Sequence, residues 1–310
     1  MRIVFMGTPD FAVASLDALI SNGFNVVAVV TAPDKPAGRG LKMTQSAVKQ
    51  FAFHHNIPVL QPQKLKDPEF IDALKKLAAD LQVVVAFRML PEMVWNMPPR
   101  GTINVHGSLL PEYRGAAPIN WAVINGEKTT GVTTFKLKHE IDTGDILLQE
   151  SMEIGEDETA TEVHDRMKIT GAQLLVKTLK QLEAGNIQEQ PQQLSADNKH
   201  APKIFTADCV IDWNNLVEKL HNLVRGLSQF PGAITYLDGK ILKVYRSKKE
   251  LVQHPFETGK VFTDNKSFLK FSCTNGYLHL LEIQLEGKKR MPVSDFLRGY
   301  TILENSHTKD

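Results

Sequence analysis

The 310-residue chain is predicted to be an α/β protein with a doubly wound domain to about residue 187 and a small β-barrel after it. Three observations predict this. Short, wholly apolar runs alternate with segments of helical spacing through the first half. A polar, proline-containing stretch at 188–206 then breaks the pattern and reads as a linker. Beyond it, short strand-like runs are separated by Asp-Gly and Asn-Gly turns, and an OB-like barrel is one option for 207–310.

Ile3-Val4-Phe5-Met6, ended by Gly7 and Pro9, reads as a strand buried on both faces rather than as a signal peptide. Phe11–Ile20 has helical spacing, and Asn25–Val30 is a second strand. Residues 31–46 hold prolines, glycines and bases and read as one long loop. Helices are expected over Ala47–His55, Phe70–Ala79, Ala117–Ile124 and Glu158–Glu183. Strands are expected over Leu81–Phe87, 101–105, Val132–Leu137 and Ile146–Met152. In the second half a helix over Leu216–Leu227 precedes strands at Ala233–Tyr236, Ile241–Arg246, Gly259–Phe262, Phe268–Ser272 and Leu278–Gln284. Gly7-Thr8-Pro9 lacks the spacing of a phosphate loop and reads as a plain strand-to-helix turn.

Composition narrows the class. With 36 Lys+Arg against 35 Asp+Glu, the net charge of +1 gives no global push toward nucleic acid. The 2 cysteines are far apart, which argues against a disulfide scaffold and a zinc site. No apolar run approaches the ~20 residues needed to span a bilayer, so a cytoplasmic protein with no membrane partner is expected. Bases cluster at Lys240–Lys249 and Lys288–Arg290, either as a solvated face or as a modest RNA footprint.

The densest group of chemistry-bearing residues is Asn104-Val105-His106-Gly107-Ser108-Leu109-Leu110-Pro111, at the end of a predicted strand. Residues two apart on a strand share a face, so Asn104 and His106 can act together. An amide N–H suits a developing oxyanion and an imidazole suits proton transfer from an amine, which is the chemistry of acyl transfer. A hydrogen-bonded structural histidine is the competing reading. Downstream, Asp142-Thr143-Gly144 is either a surface turn or a carboxylate that holds the imidazole.

NVHGSLLPEYRGAAPI, with IDTGDIL downstream, resembles the core signature of the folate-dependent formyltransferases. GTPDFAV, PDKPAGRG, SLLPEYRGAAPINWAVINGE and LVRGLSQFPGA extend the resemblance over essentially the whole chain, toward the branch acting on initiator methionyl-tRNA. The resemblance implies a Rossmann-like domain followed by an OB-like, tRNA-binding domain. It implies Asn104, His106 and Asp142 as catalytic residues, with the Ser108, Leu109, Leu110 and Pro111 turn on folate. Phe87, Arg88, Met89 and Leu90 are implied as a weaker part of the pterin pocket, and Arg39 and Lys42 as tRNA contacts. The length of 31–46, beyond an ordinary connection of ~2–6 residues, predicts separately a loop mobile without tRNA. The formyl donor would be 10-formyltetrahydrofolate, released as tetrahydrofolate, with no metal and a monomeric enzyme. In the mechanism this implies, Asn104 and protonated His106 both donate to the oxyanion. Formyltransferases for glycinamide ribonucleotide or sugar amines, and formyltetrahydrofolate deformylases, would share the Asn/His/Asp set. They would be expected to lack the 31–46 loop together with the β-rich tail. A non-catalytic RNA-binding module on the same fold is a further alternative, disfavoured by the intact set. Arg225-Gly226 resembles a family motif, with a structural role placed before an RNA-facing one.

Overall fold

Ile3 to Met6 are wholly buried on β1 (Arg2–Gly7), an interior strand of a seven-stranded sheet. The computed structural model describes residues 1–37, 42–303, 306 and 308. Its contacts divide the chain into two units: residues 1–115, 130–152 and 164–200, and residues 116–129, 153–163 and 201–310.

In chain order β1 leads to α1 (Asp10–Ser21), β2 (Asn25–Val30), β3 (Lys35–Ala37), β4 (Lys42–Thr44), α2 (Ala47–His54), β5 (Val59–Leu60), α3 (Pro68–Lys76) and β6 (Leu81–Val85). Then follow α4 (Glu92–Trp95), β7 (Thr102–His106), β8 (Arg114–Gly115), α5 (Pro118–Ile124), β9 (Thr129–Lys136), β10 (Ile146–Glu153), α6 (Ala160–Glu183) and β11 (His200–Ala201). The sheet of the first unit has the order β10-β9-β7-β6-β1-β2-β5. β2 and β6 flank β1 in parallel, so the chain moves outward both ways from β1. That makes the carboxyl ends of β1 and β6 a topological switch point, where open α/β sheets bind ligands.

The structure departs from the sequence reading in definite places. Residues 31–46 are not one long loop. β3 and β4 pair as an antiparallel hairpin, Lys35 opposite Thr44 and Ala37 opposite Lys42. Residues 38–41 lie outside the described residues. The strand expected to reach Phe87 stops at Val85, because Ala86 turns to φ +48. The helix expected to reach Ala79 stops at Lys76, ahead of Ala78 at φ +45. β9 runs antiparallel to β7, so the sheet is mixed rather than wholly parallel.

The second unit holds α7 (Val217–Gly226), β12 (Ala233–Leu237), β13 (Lys240–Leu251), β14 (Val261–Thr263), β15 (Leu269–Cys273), β16 (Gly276–Leu285), β17 (Met291–Pro292) and α8 (Val293–Arg298). The antiparallel order is β12-β13-β16-β15-β14, with β17 on β16. Two register irregularities between Val244 and Ser247 bend β13, and the sheet curls into a half-barrel. Leu220 and Val224 of α7 pack with Leu242, Phe271, Leu278 and Phe296 in its core. Arg225 is buried: its Nη1 donates to the carbonyls of Glu158 (3.0 Å) and Gly155 (3.3 Å). A Cβ on Gly226 would lie 2.4 Å from Ile124 Cγ1, so α5 and α7 need glycine there. The Arg-Gly pair is thus built into packing.

Candidate active site

β7 ends at His106, with Asn104 two residues earlier on the same face of the sheet. Asn104 lies between Val84 of β6 and Phe135 of β9. Its half-buried carboxamide has no partner among the described residues. His106 is buried, its ring edge-on to Phe135 at 6.4 Å between centroids. Its Nε2 lies 2.9 Å from the Tyr113 carbonyl oxygen. A carbonyl only accepts, so Nε2 carries a proton and donates it. Tyr113 sits at φ +58, in the left-handed region. Nδ1 is therefore the nitrogen free to exchange its proton, and it faces Asp142 Oδ2 at 3.8 Å. That exceeds hydrogen-bond reach, so the two face each other without a direct bond.

Asp142 lies between β9 and β10 at φ +53. Its Oδ2 accepts the Gly115 N–H at 3.0 Å. Its backbone carbonyl accepts from Gln192 Nε2 at 2.9 Å, and the Gly144 carbonyl accepts from the same nitrogen at 2.8 Å. A Cβ on Gly144 would lie 1.6 Å from the Lys136 carbonyl oxygen. The Asp-Thr-Gly spacing thus has a steric cause: the chain doubles back onto β9, and only glycine passes.

The turn after β7 is held from inside. Ser108 Oγ donates to the Glu112 carbonyl at 2.6 Å. Thr133 Oγ1 donates to the Ser108 carbonyl at 2.7 Å and accepts from Leu110 N at 3.1 Å and from Gln149 Nε2 at 2.9 Å. Ser108 and Leu110 are buried, while Leu109 and Pro111 are half-buried. A Cβ on Gly131 would come within 2.5 Å of Leu109 Cδ2, so this glycine makes room for Leu109. Thr133→Val keeps the shape but strands the Leu110 N–H. A loss of roughly 1–3 kcal/mol of stability is expected, read by denaturant unfolding; an unchanged midpoint would remove Thr133 from this role.

A cavity of about 470 Å³ is lined by Thr8, Pro9, Ala32, Pro33, Lys35, Gln63, Ala86, Phe87 and Arg88. These residues follow β1, β2, β5 and β6, so the cavity sits at the switch point. The left-handed Ala86 redirects the chain so that Phe87 and Arg88 reach it. Arg88 donates to the carbonyls of Gln63 (3.0 Å) and Pro62, while its Nε is buried without a partner among the described residues. Burial lowers its pKa. Met89 is exposed, and Leu90 belongs to the core with Val4 and Phe70. Leu90 therefore supports the wall and is not part of the lining.

The structure thus brings His106, Asp142 and the 108–111 turn together around β7, with Asn104 on the same face. Arg39 lies outside the described residues, and Lys42 opens β4. Sequence reasoning did not find Tyr113, Thr133, Gln149 or Gln192. The available signal was slight: Thr133-Thr134, two hydroxyls between Val132 and Phe135 on a threonine-rich strand. Asp10, His164 and Asp165 offer three ligand atoms within 4.8 Å of one another. The Lys168 ammonium already lies 3.5 Å from Asp10 and 3.0 Å from Asp165, so it supplies the positive charge there.

The profile of the family described as formyl transferase matches residues 1–179, and that of the formyl transferase C-terminal domain matches residues 203–301. The chain is 52% identical over 310 residues to the methionyl-tRNA formyltransferase of Parabacteroides distasonis, covering 97% of this chain and 96% of the relative. It is 48% identical over 312 residues to that of Bacteroides fragilis, covering 98% and 96%. Among solved structures, HypX from Aquifex aeolicus in complex with tetrahydrofolic acid aligns at a TM-score of 0.65 and 17% identity, over 96% of this chain and 47% of that one. An N-formyltransferase from Helicobacter canadensis, in complex with folinic acid and dTDP-3-aminofucose, aligns at 0.65 and 18%, over 94% and 100%. At these identities the two structures speak for the fold alone.

Proposed function

The chain belongs to the formyl transferase family, and from that membership and the geometry around β7 we propose how its residues divide the work. The chain transfers the formyl group of 10-formyltetrahydrofolate to the amino group of methionyl-tRNA, giving N-formylmethionyl-tRNA for translation initiation. Asn104, His106 and Asp142 are the catalytic set. The observation that carries this is the joint placement of a carboxamide with no partner among the described residues and an imidazole whose Nδ1 faces a carboxylate, on one face at a sheet's carboxyl edge.

The amine of the aminoacyl-tRNA attacks the formyl carbon. Asn104 Nδ2–H donates to the oxyanion of the tetrahedral intermediate, which is worth roughly 3–4 kcal/mol of barrier. With Nε2 held by Tyr113, His106 works through Nδ1. It takes the proton of the attacking amine and returns it to the departing N10, while the Asp142 charge favours the intervening imidazolium. This narrows the expectation from the sequence: the imidazole acts from one nitrogen, and the oxyanion falls mainly to Asn104.

Folate occupies the cavity against Phe87 and Arg88, with Met89, Leu109 and Pro111 as further folate contacts. Ser108, Leu110 and Leu90 support it from within. Residues 1–187 form the formyltransferase domain, 188–206 the connecting segment and 207–310 the tRNA-binding domain, in a monomeric, cytoplasmic enzyme with no membrane partner. No helix among the described residues is long and apolar enough to cross a membrane.

The test is to incubate the protein with 10-formyltetrahydrofolate and charged initiator tRNA and to hydrolyse the ester. Formylmethionine is expected. Its absence, with formyl transfer to a sugar amine or to glycinamide ribonucleotide instead, would overturn the reading.

Arg39 and Lys42 are assigned to the tRNA acceptor end. Arg39→Ala is expected to raise the KM for tRNA, with folate affinity unchanged. It should also make the salt slope of tRNA binding shallower by about one unit, as one phosphate contact is lost. Filter-binding titrations over a salt series measure this, and an unaltered slope and KM would exclude Arg39 from the tRNA contact.

A further inference from the structure

We propose that Gln192, on the polar segment after α6, is a positioning residue that sets where the Asp142 carboxylate lies relative to His106; this rests on the catalytic reading of Asp142 above. Gln192 Nε2 bridges the carbonyls of Asp142 and Gly144 at 2.9 and 2.8 Å, spanning the Asp-Thr-Gly turn. Two carbonyls can only accept, so the amide orientation is forced: Oε1 in that place would meet two oxygens. Oε1 itself is buried and has no partner among the described residues. A buried amide with half its hydrogen-bonding capacity unused is not the arrangement that stability alone favours.

The segment carrying Gln192 is pinned on both sides. Gln190 exchanges backbone hydrogen bonds with Ile146 of β10, at 2.8 and 2.9 Å. Eight residues on, the Glu112 carboxylate accepts from Asn198 Nδ2 at 2.6 Å and from Lys199 N at 2.8 Å. The Lys199 carbonyl accepts the Tyr113 N–H at 2.6 Å. Tyr113 is the residue whose own carbonyl fixes His106 Nε2. One strap, residues 190–199, thereby holds Asp142 through Gln192 and the His106 acceptor through Lys199. Asp142 sits at φ +53, a conformation that a non-glycine residue keeps only where its surroundings impose it. The Gln192 bridge is a contact that imposes it.

The test uses the full-length enzyme with Gln192→Met, which keeps length and volume but donates nothing. Its kcat is expected to fall roughly tenfold, the scale of losing an outer-shell orienting bond. KM for both substrates should stay within about twofold, as expected when ground-state binding is spared. A structural role would not reproduce the second arm. Placed on Asp142→Asn, Gln192→Met should cost nothing further, because the carboxylate it positions is gone. A third arm guards against misfolding. Gln192→Glu should recover relative to the parent enzyme as pH falls, since protonation restores one donor. Wild-type kcat in Gln192→Met, or an equal loss on the Asp142→Asn background, would overturn the proposal while leaving Asp142 catalytic. Full activity in Asp142→Asn itself would overturn the reading of Asp142, and the proposal with it.

Discussion

His106→Ala is expected to lower kcat for formyl transfer by about 10²–10⁴-fold, the range that positioned acid–base catalysis contributes. The argument is geometric. Nε2 is committed to the Tyr113 carbonyl, so the ring cannot turn away without breaking this hydrogen bond. It is held with Nδ1 toward Asp142 and works from a fixed direction. The substitution also removes a buried ring packed on Phe135, so some loss of stability will accompany it. Single-turnover rates at a temperature where both proteins are folded separate the two effects. Added imidazole gives a second check. It should restore part of the rate in His106→Ala and none in Asp142→Asn, where the native imidazole is still present. A well-folded His106→Ala variant with near-normal single-turnover rates would remove His106 from the mechanism.

Much of the first domain was legible because its interior strands are buried on both faces and read as apolar runs, as at Ile3–Met6 and Val83–Val85. Asn104 and His106 were legible as a pair because the period of a strand is two. What the sequence hid depends on contacts distant in the chain. Asp142 reaches His106 only because β9 runs antiparallel to β7 and Gly144 lets the chain double back, and neither register nor strand direction is written locally. The hairpin of β3 and β4 was hidden by Pro36 and the lysines at its ends, which read as loop chemistry. Residues 188–206 read as a linker because they are polar and aperiodic. Their polarity has another cause: Gln192, Asn198 and Lys199 bond to the site loops through Asp142, Gly144, Glu112 and Tyr113. The same limit applies to Ser108, Leu110 and Leu90. A motif names them together with Leu109 and Phe87, but only packing tells which of them face inward.

Asn104→Leu is expected to reduce kcat by about 10²–10³-fold, the cost of deleting one oxyanion donor. Asn104 differs from His106 in a way that makes this test cleaner. Among the described residues no group bonds to its carboxamide, so its loss strands no partner there. Neighbouring strands enclose it through Val84 and Phe135, where an apolar side chain of similar size is well tolerated. The thermal midpoint should therefore hold or rise. An effect confined to kcat, with KM for folate and tRNA unchanged, identifies a donor used in the transition state rather than in binding. Asn104→Asp should be slower still, because a carboxylate cannot donate and its charge repels the oxyanion. Steady-state formylation kinetics on both variants, beside their melting curves, decide the matter. If Asn104→Leu keeps kcat within a few-fold of the parent enzyme, a factor too small for an oxyanion donor, the tetrahedral intermediate is stabilised elsewhere and the chemistry does not centre on β7.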